Sequence, residues 1–441
     1  MKAILKSIVC AAAAIAIAVP SSYAAKDRKD VLKVYNWSSY IDETVLPEFE
    51  AWYKEQTGRD IEVIYQVFDV NEAMLSKIEK GHEDYDVVCP SDYMIERMLN
   101  TGLLVPLDFK ALESTGTPNY IENNKSPYIR SMFRSINPSV DANDYSVAYM
   151  WGTTGILYNP KYVSDAEANT WNSLRDPKFA GKVLIKDAPR DVYSPVLIYL
   201  RQDELKAGTV TLQDLMSDSS DKSIADVEAF MMDAKPGVCG WEADLGKEQM
   251  TKERAWLSLN WSGDAVWAIE EAAAVGVELR YAVPEEGSTV WFDGWVIPKY
   301  AKNPEAATYF IDFMCRPDIA IRNMDETGYI SANGAMEVLE SQIDENEPEQ
   351  DLSYFFGDEA SAVHVSPVQY PGREIIERCA LEHDWGDDTY KLLDMWQNVK
   401  GSQTSAFTFI LIAVVIAAAA AWFIVSRQGK KRRRKRSGGR R

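Results

Sequence analysis

Histidine and cysteine are scarce in this 441-residue chain: three of the former, His82, His364 and His383, and five of the latter, with no two cysteines spaced as a CxxC pair. Zinc and haem sites need such residues in clusters. Neither is supported, and no metal or cofactor is expected. A Gly-rich phosphate loop and a nucleophile–base motif are also missing, which leaves an enzyme reading without support. Positive charge is short as well, since 47 Lys and Arg against 67 Asp and Glu leave a net charge of −20. Twelve of the 47 lie at the two ends, Lys2 and Lys6 on one side and ten Lys or Arg in 427–441 on the other, so the middle is more acidic still. A nucleic-acid partner needs the opposite balance, whereas an acidic surface attracts cations. Cys89, Cys239, Cys315 and Cys379 are far apart, and spacing assigns no disulfide among them.

The ends read as targeting segments. Residues 1–24 carry Lys2 and Lys6, an apolar stretch from Ile8 to Val19 and a Ser22-Tyr23-Ala24 end, the pattern of a secretory signal peptide. Phe407 to Val425 contains no charged residue, close to the roughly 20 apolar residues needed to span hydrocarbon. Seven consecutive cations, Lys430 to Arg436, follow within a basic tail at 426–441 and mark the cytoplasmic side. The expectation is an exported protein on the periplasmic, extracytoplasmic side of the inner membrane, anchored by a C-terminal transmembrane helix.

Between the ends, β-rich runs alternate with helical spacing. Val31–Trp37 precedes a helix from Glu43, Ile61–Tyr65 precedes Asn71 to Lys80, and Tyr85–Pro90 precedes Tyr93 to Asn100. Three β-α units in a row argue for a mainly parallel sheet covered by helices, whose ligands lie beyond the carboxyl ends of the strands. Lys182 to Lys186 and Leu257 to Asp264 repeat the pattern, and Tyr145 to Tyr158 and Val290 to Pro298 read as strands crossing between two lobes. The division expected is 30–147 and 292–336 for one lobe, 148–291 and 337–400 for the other.

The stretch Val290-Trp291-Phe292-Asp293-Gly294-Trp295 sets one carboxylate among three aromatic rings. An acid in such a run faces a cation or a hydrogen-bond donor, because a buried carboxylate without one is costly. Ring faces attract ammonium groups. Taken singly, Trp37, Tyr40, Tyr93, Trp261, Trp291 and Tyr329 each read as core aromatics. Together they fall at strand-to-loop junctions beside Asp187, Asp191, Asp264 and Asp293. Acids for each ammonium and flat walls along the methylenes suit an elongated diamine or triamine.

Tyr35-Asn36-Trp37-Ser38-Ser39-Tyr40, Tyr85-Asp86-Val87-Val88 with Pro90-Ser91, Asp187-Ala188-Pro189, Asn260-Trp261-Ser262-Gly263-Asp264 and Trp291-Phe292-Asp293 come in an order that resembles the spermidine/putrescine-binding proteins of polyamine ABC importers. The resemblance covers roughly residues 31 to 400. It implies an α/β, two-lobed type II periplasmic-binding-protein fold with crossover hinge strands, to which the C-terminal transmembrane helix would be added. It further implies a polyamine ligand, putrescine or spermidine, and ABC permease subunits in the membrane as partners. Carried over, Trp37, Ser38 and Tyr40 line the cleft, Ser91 and Tyr93 hydrogen-bond an amine, and Asp187 and Asp191 face the ligand. Trp261 and Trp291 stack along it, Asp264 and Asp293 anchor the ammonium groups, and Tyr329 closes the wall. Two departures stand out. Ser39 replaces an acid that the family carries before the tyrosine of its first aromatic motif, leaving Asp92 or Glu382 to supply it, and carriers of this type normally have no membrane span. The other readings are a membrane-anchored polyamine sensor, a carrier for another small solute and, more distantly, a carbohydrate-active enzyme.

Overall fold

The computed structural model describes residues 27–242 and 246–401. The expected signal peptide, the expected span at 407–425 and the basic tail lie outside the described residues. Among the described residues no helix is long and apolar enough to cross a membrane. The last of them, Thr389–Lys400, has 12 residues, about 18 Å at 1.5 Å per residue against a hydrocarbon core of about 30 Å, and it carries three charged side chains. The fold expectation is corrected accordingly: the described residues form an α/β architecture in two units with no C-terminal transmembrane helix among them. The anchored location and the membrane partnership that rested on that helix have no support from the described residues.

In chain order, the elements that position the site begin with β1 (Val31–Trp37), α1 (Val45–Thr57), β2 (Glu62–Phe68), α2 (Asn71–Glu79), β3 (Val87–Val88), α3 (Asp92–Asn100), α4 (Pro127–Ile136) and β4 (Ser146–Tyr158). There follow β5 (Val183–Lys186), α5 (Pro189–Leu200), β6 (Val238–Glu242), β7 (Leu257–Trp261), α6 (Ser262–Ala274), β8 (Arg280–Ala282) and β9 (Ser288–Val296). The last are α7 (Pro304–Met314), α8 (Pro317–Thr327), β10 (Ile330–Ser331), β11 (Cys379–Leu381) and α9 (Thr389–Lys400).

Unit 1 holds the described residues up to Trp151, together with Phe292–Glu345 and Asp351–His364. Its strands run β2-β1-β3-β9, with β1 parallel to both β2 and β3 and Val88 of β3 antiparallel to Val296 of β9. Most of β1 is buried on both faces, which is why it reads as a nearly unbroken apolar run and not an alternating one. Phe49 of α1 meets Phe310 and Phe313 of α7 edge-on, and Trp151 stacks between Phe292 and Phe355. Pro317 opens α8 and Gly328, at φ 75°, ends it in the left-handed conformation, turning the chain into Tyr329 and β10.

Unit 2 holds Gly152–Trp291, Asn346–Gln350 and the described residues from Val365 onward. Its strands run β4-β7-β5-β6; β4 is antiparallel to β7, and β5 is parallel to both β7 and β6. β11 lies parallel to β9, with Leu381 opposite Val290. Trp171, Phe179, Tyr193, Leu197 and Trp396 build the core under this sheet. The chain passes from one unit to the other inside β4, at Trp151–Gly152, and inside β9, at Trp291–Phe292.

Candidate functional site

In unit 1 the site starts where β1 ends. Ser39 turns the chain at φ 53°, a left-handed conformation uncommon outside glycine, and Asn36 Nδ2 donates to the Tyr40 carbonyl to hold the turn. Tyr40 is thereby buried, edge-on to both Tyr149 and Tyr329 at 5.5 and 5.1 Å between ring centres. Its hydroxyl donates to Asp293 Oδ2 at 2.7 Å, and the Ser91 hydroxyl donates to Asp293 Oδ1 at 2.6 Å. Ser91 is held in place by its backbone bridge to Asp293 at the head of α3. Burial and the Asp293 charge both push the Tyr40 phenol up, so it stays a protonated donor at neutral pH. A carboxylate only 6% exposed needs such donors to remain ionised.

A hydrogen-bonded chain runs outward from this pair. Asn71 Nδ2 donates to Ser91 Oγ at 3.1 Å and to the Tyr93 hydroxyl at 3.0 Å, and Tyr93 in turn donates to Glu72 at 3.4 Å. Trp37 leans on Phe68 at 4.6 Å, and its buried indole N–H has no hydrogen-bond partner among the described residues. Ser38 donates to Asp69 at 2.7 Å in an exposed position, away from Asp293. Asp92, weighed for the role left open at Ser39, accepts from the backbone N–H of Phe292 at 2.9 Å and of Tyr93 at 2.6 Å, which ties β9 to α3.

In unit 2 the strand-end acids sit in first helical turns and not in loops. β7 passes straight into α6, so Ser262, Gly263 and Asp264 are already helical, and Asp191 falls in the first turn of α5. First turns favour acids because the unsatisfied N–H groups carry partial positive charge. Trp261 donates its indole N–H to Asp191 at 2.9 Å, and burial of that carboxyl pushes its pKa up to about 6 against the opposing pull of this bond. Trp291 packs directly on the backbone of β4: a Cβ at Gly152 would lie 2.6 Å from its ring and 2.4 Å from the Ser262 hydroxyl. Only glycine permits that approach. Glu382, buried, follows β11 one residue past the Leu381–Val290 pair, in line with Trp291.

Asp264 has a partner that the sequence reading did not foresee. The Lys186 ammonium, 0% exposed at the end of β5, lies 2.5 Å from Asp264 Oδ2, 3.4 Å from Glu242 Oε1 and 4.4 Å from the centre of the Trp261 ring. Burial pushes its pKa down, but attraction to the two carboxylates outweighs this and the net shift is upward, so the lysine is charged. Asp187, by contrast, turns to α9, accepting from Trp396 Nε1 at 2.8 Å and from Lys400 at 2.7 Å. The structure thus joins Tyr40, Ser91 and Asp293, with Tyr93 and Tyr329 beside them, in unit 1, and Asp191, Trp261 and Asp264 in unit 2. Ser38 and Asp187 are engaged elsewhere. Lys186, Glu242 and Asn71 were missed; for Lys186 the signal was a cation closing the apolar run Val183-Leu184-Ile185 directly before the turn at Asp187-Ala188-Pro189.

Residues 49–347 match the sequence profile of the family described as bacterial extracellular solute-binding protein. Among curated proteins, the putrescine-binding periplasmic protein PotF of Escherichia coli (strain K12) is 29% identical over 71% of this chain and 81% of its own. The spermidine/putrescine-binding periplasmic protein of Salmonella typhimurium is 27% identical over 89% of this chain and 97% of its own. Among solved structures, the spermidine/putrescine ABC transporter substrate-binding protein PotD from Streptococcus pneumoniae aligns at a TM-score of 0.60 and 29% identity, over 84% of this chain and 98% of that one. These relatives are binding proteins and not enzymes.

Proposed function

The chain belongs to the bacterial extracellular solute-binding protein family, and on that premise we propose that it is the extracytoplasmic solute-binding subunit of an ABC importer for aliphatic amines of the putrescine and spermidine class. The observation that carries this reading is Asp293: a buried carboxylate whose two oxygens are oriented by the hydroxyls of Tyr40 and Ser91, with the rings of Tyr149 and Tyr329 packed around Tyr40. The two hydroxyls fix the direction of the carboxylate oxygens, and a carboxylate so oriented suits an ammonium, since it accepts about four hydrogen bonds in all. Charge-assisted bonds of that kind contribute on the order of 1.5–3 kcal/mol each. The names of the relatives, all of them binders of putrescine or spermidine, support the same class of solute.

Calorimetric titration of the full chain with a panel of aliphatic amines, putrescine and spermidine among them, and with 1,4-butanediol tests the reading. Saturable binding of an amine with no heat from the diol is expected, since the diol keeps the methylenes and loses the charge. A protein that binds none of the amines at millimolar concentration overturns it.

A further inference from the structure

We propose that Tyr149 is a positioning residue for amine binding at Asp293: its hydroxyl holds the Tyr40 carbonyl, and through it the Tyr40 phenol that orients the Asp293 carboxylate. The inference lies within unit 1, rests on the amine reading of Asp293 and deepens it.

Tyr40 is gripped at both ends. Its phenol donates to Asp293 Oδ2 at 2.7 Å, while its carbonyl accepts from the Tyr149 hydroxyl at 2.9 Å and from Asn36 Nδ2 at 3.3 Å. The phenolic bond to the carbonyl is the better of the two, because 2.9 Å lies within the usual range for O–H···O and 3.3 Å lies just beyond that for N–H···O. The turn before Tyr40 does not hold itself. Ser39 stands at φ 53°, and a residue other than glycine keeps such a conformation only where the surrounding contacts impose it. Tyr149 is in turn fixed from several sides. It lies in β4, its carbonyl accepts from the Ala332 N–H at 2.9 Å just past β10, and its ring leans on Trp295 at 4.7 Å, two residues beyond Asp293 on β9. One residue thus touches the segments that carry Tyr40 and Asp293 and, by way of the β4–β10 pairing, the segment that carries Tyr329. Tyr149 is buried, and that burial pushes its phenol well up, so it stays a protonated donor. A phenylalanine would fill the same space and lose the bond to the carbonyl. Binding groups set before the solute arrives raise affinity by sparing the cost of ordering them.

The test is a double-mutant cycle, read by calorimetric titration of the full chain with whichever of putrescine and spermidine wild type binds more tightly. Tyr149→Phe is expected to lower the affinity about tenfold while keeping the cooperative melting of wild type. Tyr40→Phe removes the group through which Tyr149 acts but keeps the Ser91 bond to Asp293, so it is expected to bind measurably. Adding Tyr149→Phe to that variant should then cost less than about threefold more. A residue that only supports the fold would give losses that multiply, so a further loss of about threefold or more overturns the inference, as does unchanged affinity in a well-folded Tyr149→Phe. Should Tyr149→Phe fail to fold, Asn36→Leu, which removes the other donor to the same carbonyl, runs the same cycle: a loss confined to the background that keeps the Tyr40 hydroxyl supports the inference, and an equal loss in both overturns it. Those outcomes leave the amine reading standing. Wild type that binds neither amine overturns that reading, and the inference with it.

Discussion

Asp293 and Asp264 look alike in the sequence, each next to a glycine and two or three residues from a tryptophan in a β-rich stretch. In the folded protein they differ in kind. Asp293 is oriented by two hydroxyls, whereas Asp264 is clamped by a buried lysine. The one is oriented by neutral hydroxyls and the other is half of an ion pair. The comparison teaches that acids alike in sequence take different partners once the strands beside them are paired.

The contrast is sharpest in stability. Asp264→Asn breaks the shorter of the two ion pairs of the buried Lys186 ammonium and is expected to cost about 3–5 kcal/mol in denaturant unfolding, the usual penalty for breaking a buried pair. Asp293→Asn, whose amide oxygen still accepts from a hydroxyl, is expected to cost under about 1 kcal/mol. Equal losses at the two positions would erase the distinction.

A buried acid served by backbone amides extends the comparison to pH. Asp312, on α7 in unit 1, accepts from the Ile121 N–H at 3.0 Å, and its burial pushes its pKa up to about 7. Because the folded state then binds a proton that the unfolded chain releases near pH 4, stability from this group is present below about pH 4 and is lost as pH rises through about 7, at up to about 1.4 kcal/mol per pH unit. Asp312→Asn should flatten that part of the stability profile between about pH 4 and 7; an unchanged slope would show that the carboxyl is ionised in the fold. The smallest effect belongs to Asp187. Its pair with Lys400 is partly solvated, so Asp187→Asn should change stability by no more than about 1 kcal/mol and leave amine affinity unaltered. A large loss of affinity there would return Asp187 to the site.

Much of the fold was legible because its signals are local. The run Val31–Trp37 is a strand over those residues, and Pro317 and Gly328 bound α8 where helix-starting and helix-ending residues belong. Asp293, Ser91, Tyr40 and Tyr329 were legible as a set because Ser91, Tyr40 and Tyr329 sit next to strand or helix ends and Asp293 is the one acid in the aromatic run of β9. Lys186 was not, since its meaning depends on β5 lying between β6 and β7, pairings between residues dozens of positions apart that no local pattern encodes. The attachment of Tyr354-Phe355-Phe356 was equally hidden: an apolar patch in an acidic stretch gives no hint that Phe355 stacks on Trp151. The apolar segment at 407–425, a strong local signal for a span, lies outside the described residues, among which no helix is long and apolar enough to cross a membrane.

The central claim is that Asp293 holds the ammonium of the solute. Calorimetric titration of wild type and Asp293→Asn with the amine that wild type binds most tightly tests it directly. Affinity should fall by more than about tenfold, or about 1.4 kcal/mol, with the melting temperature little changed. Equal affinities in two well-folded proteins would contradict it.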